Sequence, residues 1–205
     1  MQPLLLLLPL LPREAETGKI TGGHEATPHS HPYIAFLQLL STLNCGILVC
    51  EDLMLTAAHS LGSSICVTLE AHNIRMNERT QQVIPVRKVI PHQDYHPEKP
   101  FNYIMLLLKN NASPKKEVDL RVPTGRDQVR GCSVAGWGLT TMLTATLREV
   151  ELKIQGDGDS GGPFVCNSVA QGVVSFGMED RTPPRVYTRI SSFVPWTEKT
   201  KRSFQ

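Results

Sequence analysis

Apolar residues in this chain fall in short runs separated by turn-forming residues, and helical periodicity does not emerge until the C-terminus. The runs from Tyr33 to Leu40, Ile65 to Leu69, Val83 to Ile90, Tyr103 to Leu108, Ala170 to Phe176 and Val186 to Ile190 have strand length and predict a β-rich chain. Glu149-Val150-Glu151-Leu152-Lys153-Ile154 alternates polar and apolar, which predicts a strand with Val150, Leu152 and Ile154 on one face. Near the end, Ser191-Ser192-Phe193-Val194-Pro195-Trp196 offers an N-cap serine and a first-turn proline, predicting a helix over residues 192–201. Between the strand-rich halves, residues 109–130 carry Asn110-Asn111, Pro114, Pro123 and several charges and read as a connector.

The densest apolar stretch, Leu4 to Leu11, is too short to span a bilayer and contains Pro9. Followed by polar residues, with Ala15 as the small residue near a cleavage site, it predicts a secretory signal over residues 1–17, although Met1-Gln2-Pro3 supplies no basic side chain. Fifteen glycines, fifteen prolines, 40% hydrophobic and 20% charged residues fit a turn-rich globular protein, and exclude a disordered, collagen-like or coiled-coil chain. A formal net charge of +2 is too slight to call for a nucleic-acid partner. Five cysteines, Cys45, Cys50, Cys66, Cys132 and Cys166, suit an oxidising compartment, and the odd count leaves at least one outside any intramolecular pair.

Two strings carry chemistry. In Gly158-Asp159-Ser160-Gly161-Gly162-Pro163 the glycines allow backbone to approach a substrate carbonyl, so the amides of Gly158 and Ser160 could converge on a developing oxyanion. A serine hydroxyl needs a base within hydrogen-bond reach, and Leu55-Thr56-Ala57-Ala58-His59-Ser60 offers His59. Taken singly, the first string also reads as a turn and the second as a core histidine. Their order, with Ala135-Gly136-Trp137-Gly138 between them, points to nucleophilic catalysis.

With these strings, Ile20-Thr21-Gly22-Gly23-His24-Glu25-Ala26, Val67-Thr68-Leu69-Glu70-Ala71-His72-Asn73 and Ile104-Met105-Leu106-Leu107, the chain resembles the chymotrypsin-like serine proteases. Within them it is most similar to the granule branch of granzymes, cathepsin G, mast-cell chymases and duodenase. The resemblance implies an all-β fold of two antiparallel β-barrels with a catalytic cleft between them and a C-terminal helix. It implies an activation dipeptide at 18–19 and a protease domain at 20–205, divided into a first barrel (20–120), a second barrel (121–190) and a helix and tail (191–205). His59 matches the base, Ser160 the nucleophile, and the amides of Gly158 and Ser160 the oxyanion hole. Ile20 matches the activated N-terminus, whose ammonium would pair with Asp159. Ser175, Phe176 and Gly177 match the strand that pairs with substrate, and Arg185 the pocket floor. Cys132 and Cys166 match a family disulfide. Peptide or protein substrates or protease inhibitors are the implied partners, a monomer secreted or stored in granules is expected, and no cofactor, metal or nucleic acid is called for.

The chain also departs from this pattern. Where the family has Asn-Asp-Ile-Met-Leu-Leu it reads Asn102-Tyr103-Ile104-Met105-Leu106-Leu107, so Tyr103 replaces the triad carboxylate, and nothing in the sequence places Asp94 beside His59. Between Trp137 and Ser160 about thirty family residues are missing after Gln155, which would truncate the second barrel and open its edges. The family partner of Cys45 is Ser60 here, and Cys50 and Cys66 are not at family positions. Three outcomes stay open: a weak protease, a noncatalytic homologue that binds through the old cleft, and a product that does not fold stably.

Overall fold

In the computed structural model, which describes residues 23–39, 43–62, 64–98, 101–110, 121–123, 131–138, 145–152, 161–176 and 186–204, twelve strands precede one helix. They are β1 (His24–Glu25), β2 (Ile34–Gln38), β3 (Leu43–Leu48), β4 (Leu53–Thr56), β5 (Cys66–Leu69), β6 (Gln82–Pro91), β7 (Met105–Lys109), β8 (Cys132–Gly136), β9 (Arg148–Leu152), β10 (Pro163–Cys166), β11 (Val169–Phe176) and β12 (Val186–Arg189). Helix α1 spans Val194–Arg202.

Strands β2 to β7 close a barrel in the order β2-β3-β4-β7-β6-β5, every pairing antiparallel. Leu37, Met54, Val67, Leu69, Ile84, Met105 and Leu107 form one core cluster. On the other side of β4 and β7, Leu53, Leu55, Leu106 and Leu108 pack with Val165, Val173 and Ile190 of the second half. Both faces of β4 and β7 are therefore buried, which is why their sequences read as unbroken apolar runs rather than alternation.

The second half forms a six-stranded sheet in the order β1-β9-β8-β10-β11-β12, and only the first half is a closed barrel among the described residues. The first strand belongs to this second sheet: His24 stands opposite Glu149 and Glu25 opposite Arg148. His31 Nε2 lies 2.6 Å from one oxygen of Glu149 and His24 Nε2 lies 3.3 Å from the other, so the segment following Ile20 is held on β9. Glu149 to Leu152 fall in β9 as the alternation predicts, with Val150 opposite Val134, while Ile154 lies outside the described residues.

The helix begins later than its sequence suggests. Ser191 and Ser192 sit in a 3₁₀ turn, Phe193 occupies the N-cap without a side-chain cap bond, and Pro195 falls in the first turn. Packing sets this start: the rings of Phe193 and Trp196 lie 5.2 and 5.0 Å from His92, at the end of β6. Burial of two aromatic rings outweighs a serine cap, which contributes about 1 kcal/mol. Leu43–Leu48, Leu53–Thr56, Cys132–Gly136 and Pro163–Cys166 form strands beyond the apolar runs read from sequence. Asn44 and Gly46 interrupt the first, and the others are short or built from small residues, so neighbouring strands define them.

Cys132 and Cys166, directly opposite each other in β8 and β10, form a disulfide closing a separation of 34 residues. Cys45, Cys50 and Cys66 remain thiols. Peptide mapping without reductant is expected to find the Cys132–Cys166 bridge alone, and its removal to cost roughly 3 kcal/mol of stability. A Cys45–Cys66 bridge with Cys132 reduced would contradict this pairing.

Candidate active site

His59 follows β4 in a 3₁₀ turn, Ala58–Ser60, whose alanine and serine are fully buried while the imidazole faces outward. Small side chains are needed there, because the Ala57 and Ala58 positions have no exposed surface. The turn is tied to the start of β7 by the Ala58 N–H, which donates to the Tyr103 carbonyl at 3.3 Å. His59 still presents surface to solvent, but the protein packed around its ring holds its pKa below the ordinary histidine value, with burial as the cause.

Tyr103 is placed beside the imidazole as a ring: the centroids are 5.3 Å apart and the planes are inclined by 39°. On its far side Tyr103 meets Tyr95 edge to face, again at 5.3 Å. Asn102, in the left-handed conformation that asparagine tolerates, turns the chain into this position, and its amide donates to the Asp94 carbonyl at 3.1 Å. The Asp94 carboxylate is 4.0 Å from His92 Nδ1 and well exposed, so it serves His92 and not His59.

From the second half, Ser175 comes in on β11, fully buried. Its hydroxyl shares a hydrogen bond with the Thr188 hydroxyl of β12, and Thr188 Oγ1 lies 3.5 Å from the Tyr103 carbonyl. Phe176 stands opposite Val186 in the same pair of strands. Ile20, Gly158, Asp159, Ser160, Gly177 and Arg185 lie outside the described residues.

Gly161 fixes where the serine string ends. Its φ is +78°, its N–H donates to the Val174 carbonyl at 2.8 Å, and a Cβ there would overlap the Cys45 carbonyl oxygen and the Thr56 hydroxyl. Thr56 donates to that carbonyl at 2.7 Å. The residue after Ser160 is thus seated on Thr56, three positions before His59. Gly161→Ala would combine a left-handed alanine with a backbone overlap, so a loss of about 3 kcal/mol is expected. The corresponding fall in thermal midpoint is roughly 6–12 °C, read by calorimetry; an unchanged midpoint would mean this seating is loose.

Sequence reading did not single out Tyr95 or Thr188. Each acquires a role through partners far away in the chain, and neither lies in a local motif. Thr56 stood in the quoted histidine string without a role of its own.

The Trypsin family model matches residues 20–157 and 155–197 of the chain. Duodenase-1 of Bos taurus is 47% identical over 243 aligned residues, covering 98% of this chain and 97% of that protein. Granzyme B of Homo sapiens is 46% identical over 248, covering 100% of each, and cathepsin G of Homo sapiens is 45% identical over 246, covering 100% of this chain and 96% of that protein. The solved structure named "Structure of GrC" superposes with a TM-score of 0.78 at 39% identity, covering 88% of this chain and 99% of that one. An alignment of 243 positions on a chain of 205 residues leaves at least 38 positions (243 against 205) with no counterpart here. Among the described residues no helix is long and apolar enough to cross a membrane.

Proposed function

Because this chain belongs to the trypsin family, in the granule branch that includes granzymes, cathepsin G and duodenase, we propose that it is a serine endopeptidase homologue whose acyl-transfer chemistry is severely weakened. Ser160 Oγ attacks a peptide carbonyl carbon while His59 takes its proton. His59 then returns that proton to the leaving amine, and water hydrolyses the acyl enzyme. The amides of Gly158 and Ser160 hold the oxyanion, the Ile20 ammonium pairs with Asp159 after cleavage behind Lys19, and Ser175, Phe176, Gly177 and Arg185 face the substrate. Substrates are peptides or proteins, protease inhibitors are the competing partners, and the protein works as a monomer, secreted or held in secretory granules.

The seating of Gly161 on Thr56 supports this reading most, since it brings the serine string and the histidine turn to one residue. Impairment is supported by Tyr103, a neutral phenol where a carboxylate would stabilise the imidazolium. It is supported as well by the family match falling into two segments that meet at residues 155–157, as a shortened second half would give. The same phenol favours a second reading, a homologue that binds peptides without cleaving them.

A fluorophosphonate probe separates the two readings. Slow phosphonylation of Ser160 that disappears in His59→Ala supports catalysis, and an adduct indifferent to His59 would sink it. Burial holds the His59 pKa down, so its neutral, base form survives to lower pH than that of a solvated imidazole. The acid limb of labelling is accordingly expected below about pH 6.5; a limb above that value would contradict the desolvation of the ring by the protein packed around it. N-terminal sequencing of secreted protein is expected to begin at Ile20, and any other start would argue against family-type activation.

A further inference from the structure

Strand β1 pairs with β9 over two residues only, a ladder too short to hold by itself. Beside it the Ala26 N–H donates to the Leu147 carbonyl at 2.9 Å, and the Arg148 guanidinium donates to the Gly23 carbonyl. Side chains supply the rest. One carboxylate oxygen of Glu149 lies 2.6 Å from His31 Nε2 and the other 3.3 Å from His24 Nε2, so a single side chain of β9 holds β1 and the segment that follows it. Successive strand residues point to opposite sides, and Glu25 accordingly lies 3.0 Å from His72 Nε2, in the loop after β5.

His31 is prepared for this contact at its other ring nitrogen. Tyr33 Oη is 2.9 Å from His31 Nδ1, and burial first, with the Glu149 charge second, pushes the Tyr33 hydroxyl up to about 12. The hydroxyl therefore stays protonated and donates to Nδ1, which in the neutral imidazole leaves the Nε2–H to donate to the carboxylate. Thr21, Gly22 and Gly23 alone separate His24 from Ile20. Four residues span at most about 14 Å, so the fastening of β1 sets the point from which the Ile20 terminus starts.

We infer that Glu149 is a positioning residue for the activated terminus: by gripping His24 and His31 together it fixes the start of that short span, so that the Ile20 ammonium loses less conformational freedom when it pairs with Asp159. The inference rests on the reading that cleavage behind Lys19 frees Ile20 and that its ammonium pairs with Asp159. The role is exercised through β1.

The test uses the processed chain beginning at Ile20, in the native form, Glu149→Gln and His24→Ala. Two rates are measured: exchange of the Ala26 amide hydrogen by NMR, and carbamylation of the Ile20 amine by cyanate, read by mass spectrometry. An amine held as an ammonium in an ion pair is a poor nucleophile, so a paired terminus reacts slowly. Glu149→Gln keeps the size of the side chain but loses its charge, and is expected to speed both rates by about tenfold, as loss of a hydrogen bond to a charged group would. His24→Ala, at a well exposed position, removes one side of the grip and is expected to speed both by less; it keeps the inference testable should Glu149→Gln fail to fold. Faster Ala26 exchange with unchanged Ile20 reactivity would overturn the inference, because Glu149 would then secure the sheet alone, and so would two unchanged rates. An Ile20 amine that reacts in the native protein like that of a free peptide would overturn the pairing with Asp159 itself, a failure visible before any variant is made.

Discussion

Ser160 of the native chain is expected to react with a fluorophosphonate about 10⁴ times more slowly than the nucleophile of granzyme B or cathepsin G under matched conditions. In a trypsin-type triad the buried carboxylate fixes the imidazole tautomer and offsets the charge that His59 acquires in the transition state, and its replacement by an amide costs about 10⁴ in kcat. At about 1.4 kcal/mol per factor of ten this is roughly 5 kcal/mol of lost transition-state stabilisation. Tyr103 contributes a ring face 5.3 Å from the imidazole, which can restrain the ring but carries no charge. Asp94, nine residues upstream of Tyr103, has its carboxylate 4.0 Å from His92 Nδ1 instead. Labelling at a relative's rate would mean that some other group supplies the missing charge.

The second large effect separates a broken site from a shortened fold. Tyr103→Asp alone is expected to recover little, whereas Tyr103→Asp combined with a full-length family segment inserted after Gln155 is expected to recover far more than either change. Two independent defects predict this non-additive rescue. At least 38 positions aligned with duodenase-1 have no counterpart here, and the described strands of the second half form an open sheet, so a family segment inserted after Gln155 would be expected to add the support that an open edge lacks. A nucleophile misplaced by about 1 Å can cost 10²-fold even with the carboxylate beside His59 restored. Assays of all four variants on peptides with Asp, Phe or Lys before the scissile bond decide between the defects, and Arg185 at the pocket floor would give preference to Asp. Near-complete recovery from Tyr103→Asp alone would show that the shortened half supports its loop unaided.

Thr56 and Gly161 explain why such a loop can still find its place. The glycine lies against the Cys45 carbonyl and the Thr56 hydroxyl, in the barrel that the deletion leaves intact. The closed first barrel thereby templates one end of the serine loop.

What the sequence determined by itself was what local pattern and motif can carry. Short apolar runs announced strands, and the strings around His59 and Ser160 announced the chemistry. The family resemblance supplied the pairing of Cys132 with Cys166, and it implies a carboxylate where this chain has Tyr103 before Ile104. Tertiary structure alone decided what happens once segments about 85 to 125 residues apart are brought together. The Thr188 hydroxyl reaches a carbonyl 85 positions away, β1 joins the second sheet rather than the barrel, and α1 starts at Val194 because two aromatic rings pack on His92. That the Tyr103 ring stands 5.3 Å from the imidazole, inclined by 39°, is likewise visible only in the folded chain. Periodicity encodes which face of an element is buried, but closure of the barrel chooses the partners across that face.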